Sequence, residues 1–438
     1  MPIHGQSVRS TWKAALISKS NLKKAATQWL TGLALLLALS AVQAAKHKHA
    51  PTHSLLEACQ GSSVLPSPNC GLTPTPAFDK DGKLWLVFVQ NNHLYVTHSD
   101  DLGQTFAPPI AVNRVAEEIY HDGENRPKLV FGAQGEIYIS WSQKAPGRFA
   151  GHIRFTRSLD GAKHFDEPLT VNDDLAPISH RFESMAVDSQ GRIYISWVDK
   201  RDLAAAKKAE QNYAGAAIYY ALSENRGESF AFNRKVADHS CECCRVAMTP
   251  DSNGQMITLW RHVYPGNIRD HAIARLSADT QPISGEPVRA TDDGWMVEGC
   301  PHHGPDLALG DKDKVHMTWF TQGEKNKGIM YGRFDLADQR LDIQHTIDNA
   351  STASRPQVAV SSGVVFTAWK SFNGIATELR IKSSHDEGAN WSAPHTLAET
   401  ADGSDFPILI NRGNDLFASW HTRTEGYRLI PVPTDVHK

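Results

Sequence analysis

The chain has 438 residues, 41% of them apolar and 21% charged, so it can bury a core and is not a disordered chain. Forty-five Lys and Arg stand against 48 Asp and Glu, a net charge of −3 that leaves no electrostatic footprint for nucleic acid. The mean hydropathy of −0.39 excludes a multi-span membrane protein.

The N-terminus reads as an export signal. Arg9, Lys13, Lys19, Lys23 and Lys24 precede an apolar run over 30–42 (LTGLALLLALSAV) that is short for a membrane span, and Val42-Gln43-Ala44 offers small residues for cleavage after Ala44. Residues 1–44 are therefore expected to be a signal peptide, with an uncleaved anchor as the alternative. The mature chain is expected to be periplasmic or secreted, without stable membrane insertion. His47, His49 and His53 follow as a short tract, solvated or metal-capturing. Residues 45–72 read as a linker. In an oxidising compartment Cys59 and Cys70 are expected to pair.

From residue 73 to 438 one unit recurs seven times. Its signature is a short apolar strand ending in an aromatic residue: LWLVFVQ (84–90), IYISWSQ (137–143), IYISWVD (193–199), MITLWRH (256–262), VHMTWFT (315–321), VVFTAWK (364–370) and LFASWHT (416–422). A turn such as Asp81-Gly82 or Asn253-Gly254 precedes most copies, with another strand upstream and one or two more downstream. Four antiparallel strands in about 50–64 residues predict an all-β propeller of seven blades, six being the alternative. The 11 Trp suit such a fold. A helical insertion is predicted over 203–211 in the third blade. The last unit is short after Leu429, so closure is expected to borrow a strand from the segment after Cys70.

Four turns after third strands carry a motif. Residues 99–106 (SDDLGQTF) match S-x-D-x-G-x-T-F in full, and 384–391 (SHDEGANW) has Asn in the Thr place. In 158–165 (SLDGAKHF) the Gly comes one place early, and in 223–230 (SENRGESF) Asn replaces Asp. These turns resemble the Asp-boxes of the sialidase (bacterial neuraminidase repeat) superfamily, over about residues 73–432. The resemblance implies a sialidase-like propeller with its boxes on the periphery, and Phe106, Phe165, Phe230 and Trp391 are expected to be mostly buried there. It also implies a glycan ligand and, if the protein is an enzyme, an exo-α-sialidase-like hydrolase. Such an enzyme uses three arginines on the substrate carboxylate, a Tyr nucleophile activated by a Glu, and an Asp acid/base.

Inner strands crowd toward the axis, so residues just before them should line one mouth. Arg126, Arg181, Arg245 and Arg355 all stand there, in NRP, HRF, CRV and SRP. They read either as a shared anion site or as ion pairs that close the blade ends. Tyr427, in EGYRLIP, lies late in the chain roughly where the family nucleophile falls, with a strand residue as the alternative. Glu124, Glu183 and Glu298 are the candidate mouth carboxylates.

Two adjacent inner strands open with HSCECCR (239–245) and EGCPHHGP (298–305). Cys241, Cys243, Cys244 and Cys300, with His302 or His303, are therefore expected to meet at the mouth. Disulfides from Cys300 to the CECC segment are one reading, a Cu or Zn site the second, and a reactive thiol beside Arg245 the third. Trp295 and Met296 are placed as pocket walls. Glu117, Glu118, His121 and Asp122 form an acid-rich loop, either solvated or Ca²⁺-binding. Three functions remain open: a glycan-processing or glycan-binding propeller for anionic sugars, a periplasmic metal or thiol-redox protein, and a non-enzymatic partner-binding propeller.

Overall fold

The computed structural model describes residues 55–60, 64–278 and 287–433. The predicted signal peptide and the His47, His49 and His53 tract lie outside these residues. Among the described residues no helix is long and apolar enough to cross a membrane.

Seven antiparallel sheets follow one another in chain order. Their first strands are Leu72–Phe78, Lys128–Phe131, His180–Val187, Ala247–Pro250, Asp306–Leu309, Ser354–Ser361 and Ile408–Arg412. Each first strand contacts the next, and the last contacts the first, so the ring closes on seven blades. Antiparallel alternation brings the starts of first strands and the ends of second strands to one face, the mouth.

The second strands explain why the repeat is rich in Trp. Leu84–Gln90 and Ile193–Asp199 are buried along their whole length. Successive side chains point to opposite faces of the strand, so each blade offers an apolar face to both neighbours. Seven buried clusters result, each shared by two adjacent blades, and the last joins Tyr427 to Leu84 and Leu86 across the seam. Trp141, Trp197, Trp260, Trp319, Trp369, Trp420 and, in the first blade, Phe88 fill equivalent places and are fully buried. Carboxylates in loops (Glu117, Asp293) or at strand ends (Asp199, Asp348) take the indole N–H of Trp141, Trp319, Trp197 and Trp369. Trp260, in the cysteine-bearing fourth blade, has no such partner among the described residues.

Two expectations are corrected. The segment after Cys70 is the inner strand of its own blade, pairing with Leu84–Gln90, and the seventh blade has three strands among the described residues. Asn69 clasps the seam instead: its side-chain oxygen accepts from Tyr427 N at 3.1 Å, and its carbonyl lies 3.1 Å from His421 Nε2. The Cys59–Cys70 disulfide pins this clasp. The helix in the third blade spans Arg201–Lys208, ends earlier than predicted, and buries no residue.

The four motif turns share one hydrogen-bond pattern. The Ser hydroxyl donates to the Asp or Asn two residues on, at 2.7–2.9 Å, and accepts from the amide four residues on, at 2.8–3.0 Å. The Asp or Asn oxygen accepts from a second amide at 2.8–3.1 Å. Of the four aromatics only Phe165 is buried; Phe106, Phe230 and Trp391 are half-buried. They sit at the rim and cover the neighbouring blade, on Tyr427, Phe155 and Tyr331, which leaves one edge of each ring in water.

These turns make a pH prediction. Hydrogen bonds, foremost from the side chains of Thr105, His164 and Asn390, hold Asp101, Asp160 and Asp386 down at about 2. A carboxyl depressed on folding stabilises the fold above its unfolded pKa, and that share is lost as pH falls from about 4 to about 2. Melting temperature should drop through this window. A triple Asp→Asn variant should show a flatter profile, since Asn225 already supports the same turn. An unchanged profile would rule the assignment out.

Candidate functional site

Glu124 organises the mouth. Asp122 accepts from the amides of Glu124 and Asn125 at 3.0 and 3.1 Å, and this turn sends Glu124 inward, where it is 1% exposed. Its Oε2 accepts from the amides of Arg245 and Gly304 at 2.8 and 3.1 Å, and its Oε1 from Arg245 Nη1 at 3.0 Å and Arg355 Nη1 at 3.5 Å. A carboxylate from the second blade thus reaches the fourth, fifth and sixth. Arg355 is aimed there by a register shift at the start of its strand, where its φ is +60°. Its guanidinium also covers the Phe406 ring at 4.2 Å and lies 3.3 Å from His303 Nδ1. Burial, then Arg355, pushes His303 down to about 2, so its ring is a neutral acceptor.

Three of the four arginines take carboxylate partners within the chain, as in the ion-pair alternative. Arg245 and Arg355 meet on Glu124. Arg126 pairs with Asp405 at 2.8 Å, and Arg181 lies on the Tyr120 ring at 3.9 Å. Desolvated guanidinium groups are costly without countercharge, and the chain supplies its own carboxylates. Further carboxylates stand within electrostatic reach of these guanidiniums: Asp122 of Arg181 and Arg355, Glu183 of Arg181, and Asp306 of Arg245.

A pocket of about 330 Å³ opens beside this hub, between the first, second and seventh blades. Its wall includes His121, Asp122, Asp405, Phe406, His421 and Arg423. Burial holds His421 below the ordinary imidazole range, so it is neutral at pH 7. Asp405, Phe406, His421 and Arg423 were missed in the sequence. Their signal was positional: His421 and Arg423 end and follow a second strand, which antiparallel alternation brings to the mouth.

Of the other candidate residues, none lines this pocket. Tyr427 is buried against Leu84, Leu86 and Phe106 and does not line the pocket. Glu183 is buried, accepts from Ser142 Oγ at 2.6 Å, and is pushed upward by desolvation. Glu298 is exposed and accepts from Asn267 Nδ2 at 2.9 Å. In the acid-rich loop Asp122 is engaged with its own turn and Glu117 with Trp141. Trp295 lies against the Arg261 guanidinium at 4.7 Å, and Met296 is exposed.

Cys241, Cys243 and Cys244 are all buried, and their Sγ atoms lie within 4.8 Å of one another. Cys300 is exposed and lies outside this group, His302 is exposed, and the His303 ring stacks on Phe320 at 4.2 Å. Neither Cys300 nor an imidazole of His302 or His303 therefore joins the three sulfurs of the CECC segment, as had been expected of Cys300 with His302 or His303. Glu124 holds Gly304 and Phe320 holds His303, which leaves residues 298–300 and 302 facing solvent.

Neither a family model nor a curated protein sequence matches the chain. Among solved structures it is similar to an ulvan lyase, a polysaccharide lyase bound to -[GlcA(1-4)Rha3S]-, with a TM-score of 0.54 and 12% identity over 83% of this chain and 94% of that one. It is similar to a second polysaccharide lyase, with a TM-score of 0.51 and 8% identity over 82% and 88% of the two chains. A Hadza microbial sialidase aligns with a TM-score of 0.48 and 10% identity over 79% and 74%. At these identities the likeness is one of fold, and the chain is a seven-bladed β-propeller of the architecture it shares with those polysaccharide lyases.

Proposed function

We propose that the mouth binds a carboxylated sugar, with the carboxylate on Arg423 and the sugar ring against Phe406. The observation that carries this reading is the pocket of about 330 Å³ whose wall sets Arg423 beside the Phe406 ring. That volume lies at the low end of ordinary small-ligand sites, about 300–1,000 Å³. Arg423 is exposed, so it is free to make a charge-assisted contact. The uronate-bearing sugar bound to the ulvan lyase is a ligand of the same chemical class. The pocket has no tyrosine in its wall, so a Tyr-based hydrolysis has no support here, whereas His421 is a neutral imidazole suited to accept a proton. The site is proposed to work outside the cytoplasm, where the Cys59–Cys70 disulfide would persist.

Calorimetric titration with oligosaccharides ending in glucuronate or sialate tests the reading. Arg423→Ala should weaken binding about 10–100-fold, the worth of a charge-assisted bond of about 1.5–3 kcal/mol, and leave stability intact. Equal affinity for the reduced, uncharged sugar would sink it.

A further inference from the structure

We propose that Cys241, Cys243 and Cys244 form a trigonal thiolate site for one Cu(I) ion, separate from the sugar pocket. Cys241 Sγ lies 3.8 Å from Cys243 Sγ and 3.7 Å from Cys244 Sγ, and the third separation is within 4.8 Å. A point equidistant from such a triangle falls about 2.2–2.4 Å from each sulfur, the length of a metal–thiolate bond of about 2.3 Å. The local sequence builds this triangle. CECC starts where the third blade's last strand, Arg234–Ser240, hands over to the fourth blade, and the turn folds all three sulfurs into the core shared by those blades. Glu242, the residue between them, points outward to Lys200.

The donor set selects the ion. Among the described residues no imidazole nitrogen or carboxylate oxygen joins the three sulfurs within that reach. Structural Zn²⁺ takes four protein ligands, whereas thiolates alone suit the soft Cu(I), for which three suffice. The charges agree. Arg269 Nη1 lies 3.4 Å from Cys241 Sγ, and Arg261 is within electrostatic reach of the same sulfur. Arg261 is 1% exposed, and its hydrogen bonds go to the carbonyls of Arg269, His303 and Phe320. Neither arginine makes a salt bridge among the described residues. A buried guanidinium with no carboxylate in direct contact, only Asp293 within electrostatic reach, is stabilised by a further anion. Three thiolates, one monovalent cation and these two guanidiniums sum to zero, whereas Zn²⁺ would leave an excess positive charge. Burial of all three sulfurs shields them from oxidants outside.

The test uses the full chain, purified without oxygen after mild reduction and titrated with Cu(I) against a chromophoric Cu(I) chelator. One equivalent should be held per chain, and X-ray absorption of the wild-type complex should show three sulfur neighbours at about 2.2–2.3 Å. Cys300→Ser should bind unchanged, and Cys241→Ser and Cys244→Ser should each bind at least 100-fold more weakly. If those variants fail to fold, the wild-type sulfur count decides. No retained Cu(I), a sulfur count other than three, Zn²⁺ displacing Cu(I), or a disulfide among the three in unreduced protein would each overturn the proposal. Sugar binding does not enter this measurement, so the two readings fail separately.

Discussion

Glu124→Ala should destabilise the protein by about 3–5 kcal/mol, the cost of removing one partner of a buried ion pair. The substitution strips countercharge from Arg245 and Arg355 and leaves the amides of Arg245 and Gly304 without an acceptor. Arg245 and Arg355 side chains are only 12% and 21% exposed, so water does not compensate them freely. Glu124→Gln should cost less, because the amide oxygen still accepts from one of the two amides while the charge is lost. Glu298→Ala, a mouth-loop carboxylate in solvent, should stay within about 0.5 kcal/mol of wild type. Urea unfolding of the three variants measures these differences. A Glu124→Ala chain as stable as Glu298→Ala would show that no carboxylate hub spans the axis.

The second large effect is expected at Gly388. Its φ is +85°, and a Cβ there would stand 1.9 Å from the hydroxyl of Tyr331. Tyr331 is fully buried, its hydroxyl lies 2.6 Å from His316 Nδ1, and its ring packs on Trp391 at 4.7 Å. Gly388→Ala should therefore cost about 3 kcal/mol or more: about 1–2 from the left-handed backbone and the rest from overpacking and a lost hydrogen bond. Gly103 holds the same place in the first motif turn, with φ +86° and nothing nearer than 3.5 Å. Gly103→Ala should show the backbone share alone. The second turn supports the division, since Ala162 occupies that place at φ +69°. Thermal melts of the two variants give the comparison, and equal losses would mean that contact with Tyr331 plays no part.

The motif turns were legible because everything they need lies within eight residues. Ser99, Asp101, Gly103 and Thr105 bond to one another, so the pattern in the sequence is the structure. The blade count was legible for a related reason: each repeat carries its own alternation, and seven alternations make seven two-faced sheets. The arginines were found at the right strand starts, but their partners were not. Arg126 meets Asp405 at a separation of 279 residues, and Glu124 meets Arg245 and Arg355 at 121 and 231. Nothing local marks those pairs. Cys300 and His302 were placed with the CECC segment by strand order alone, and Gly304 and His303 are bound to other partners that hold their loop elsewhere.

By itself, the sequence determined what short-range physics controls: strand periodicity, turn chemistry, the repeat, and the pairing of Cys59 with Cys70 across 11 residues. Ring closure decided the rest. Only once the seventh blade meets the first do the loop of residues 121–123, Asp405, His421 and Arg423 come together as one pocket. Only in the closed ring does a single carboxylate lie within reach of three opposite blades. The physical reason is that a desolvated charge takes whichever countercharge the tertiary structure brings near it, and that choice is not written in either residue's neighbours along the chain.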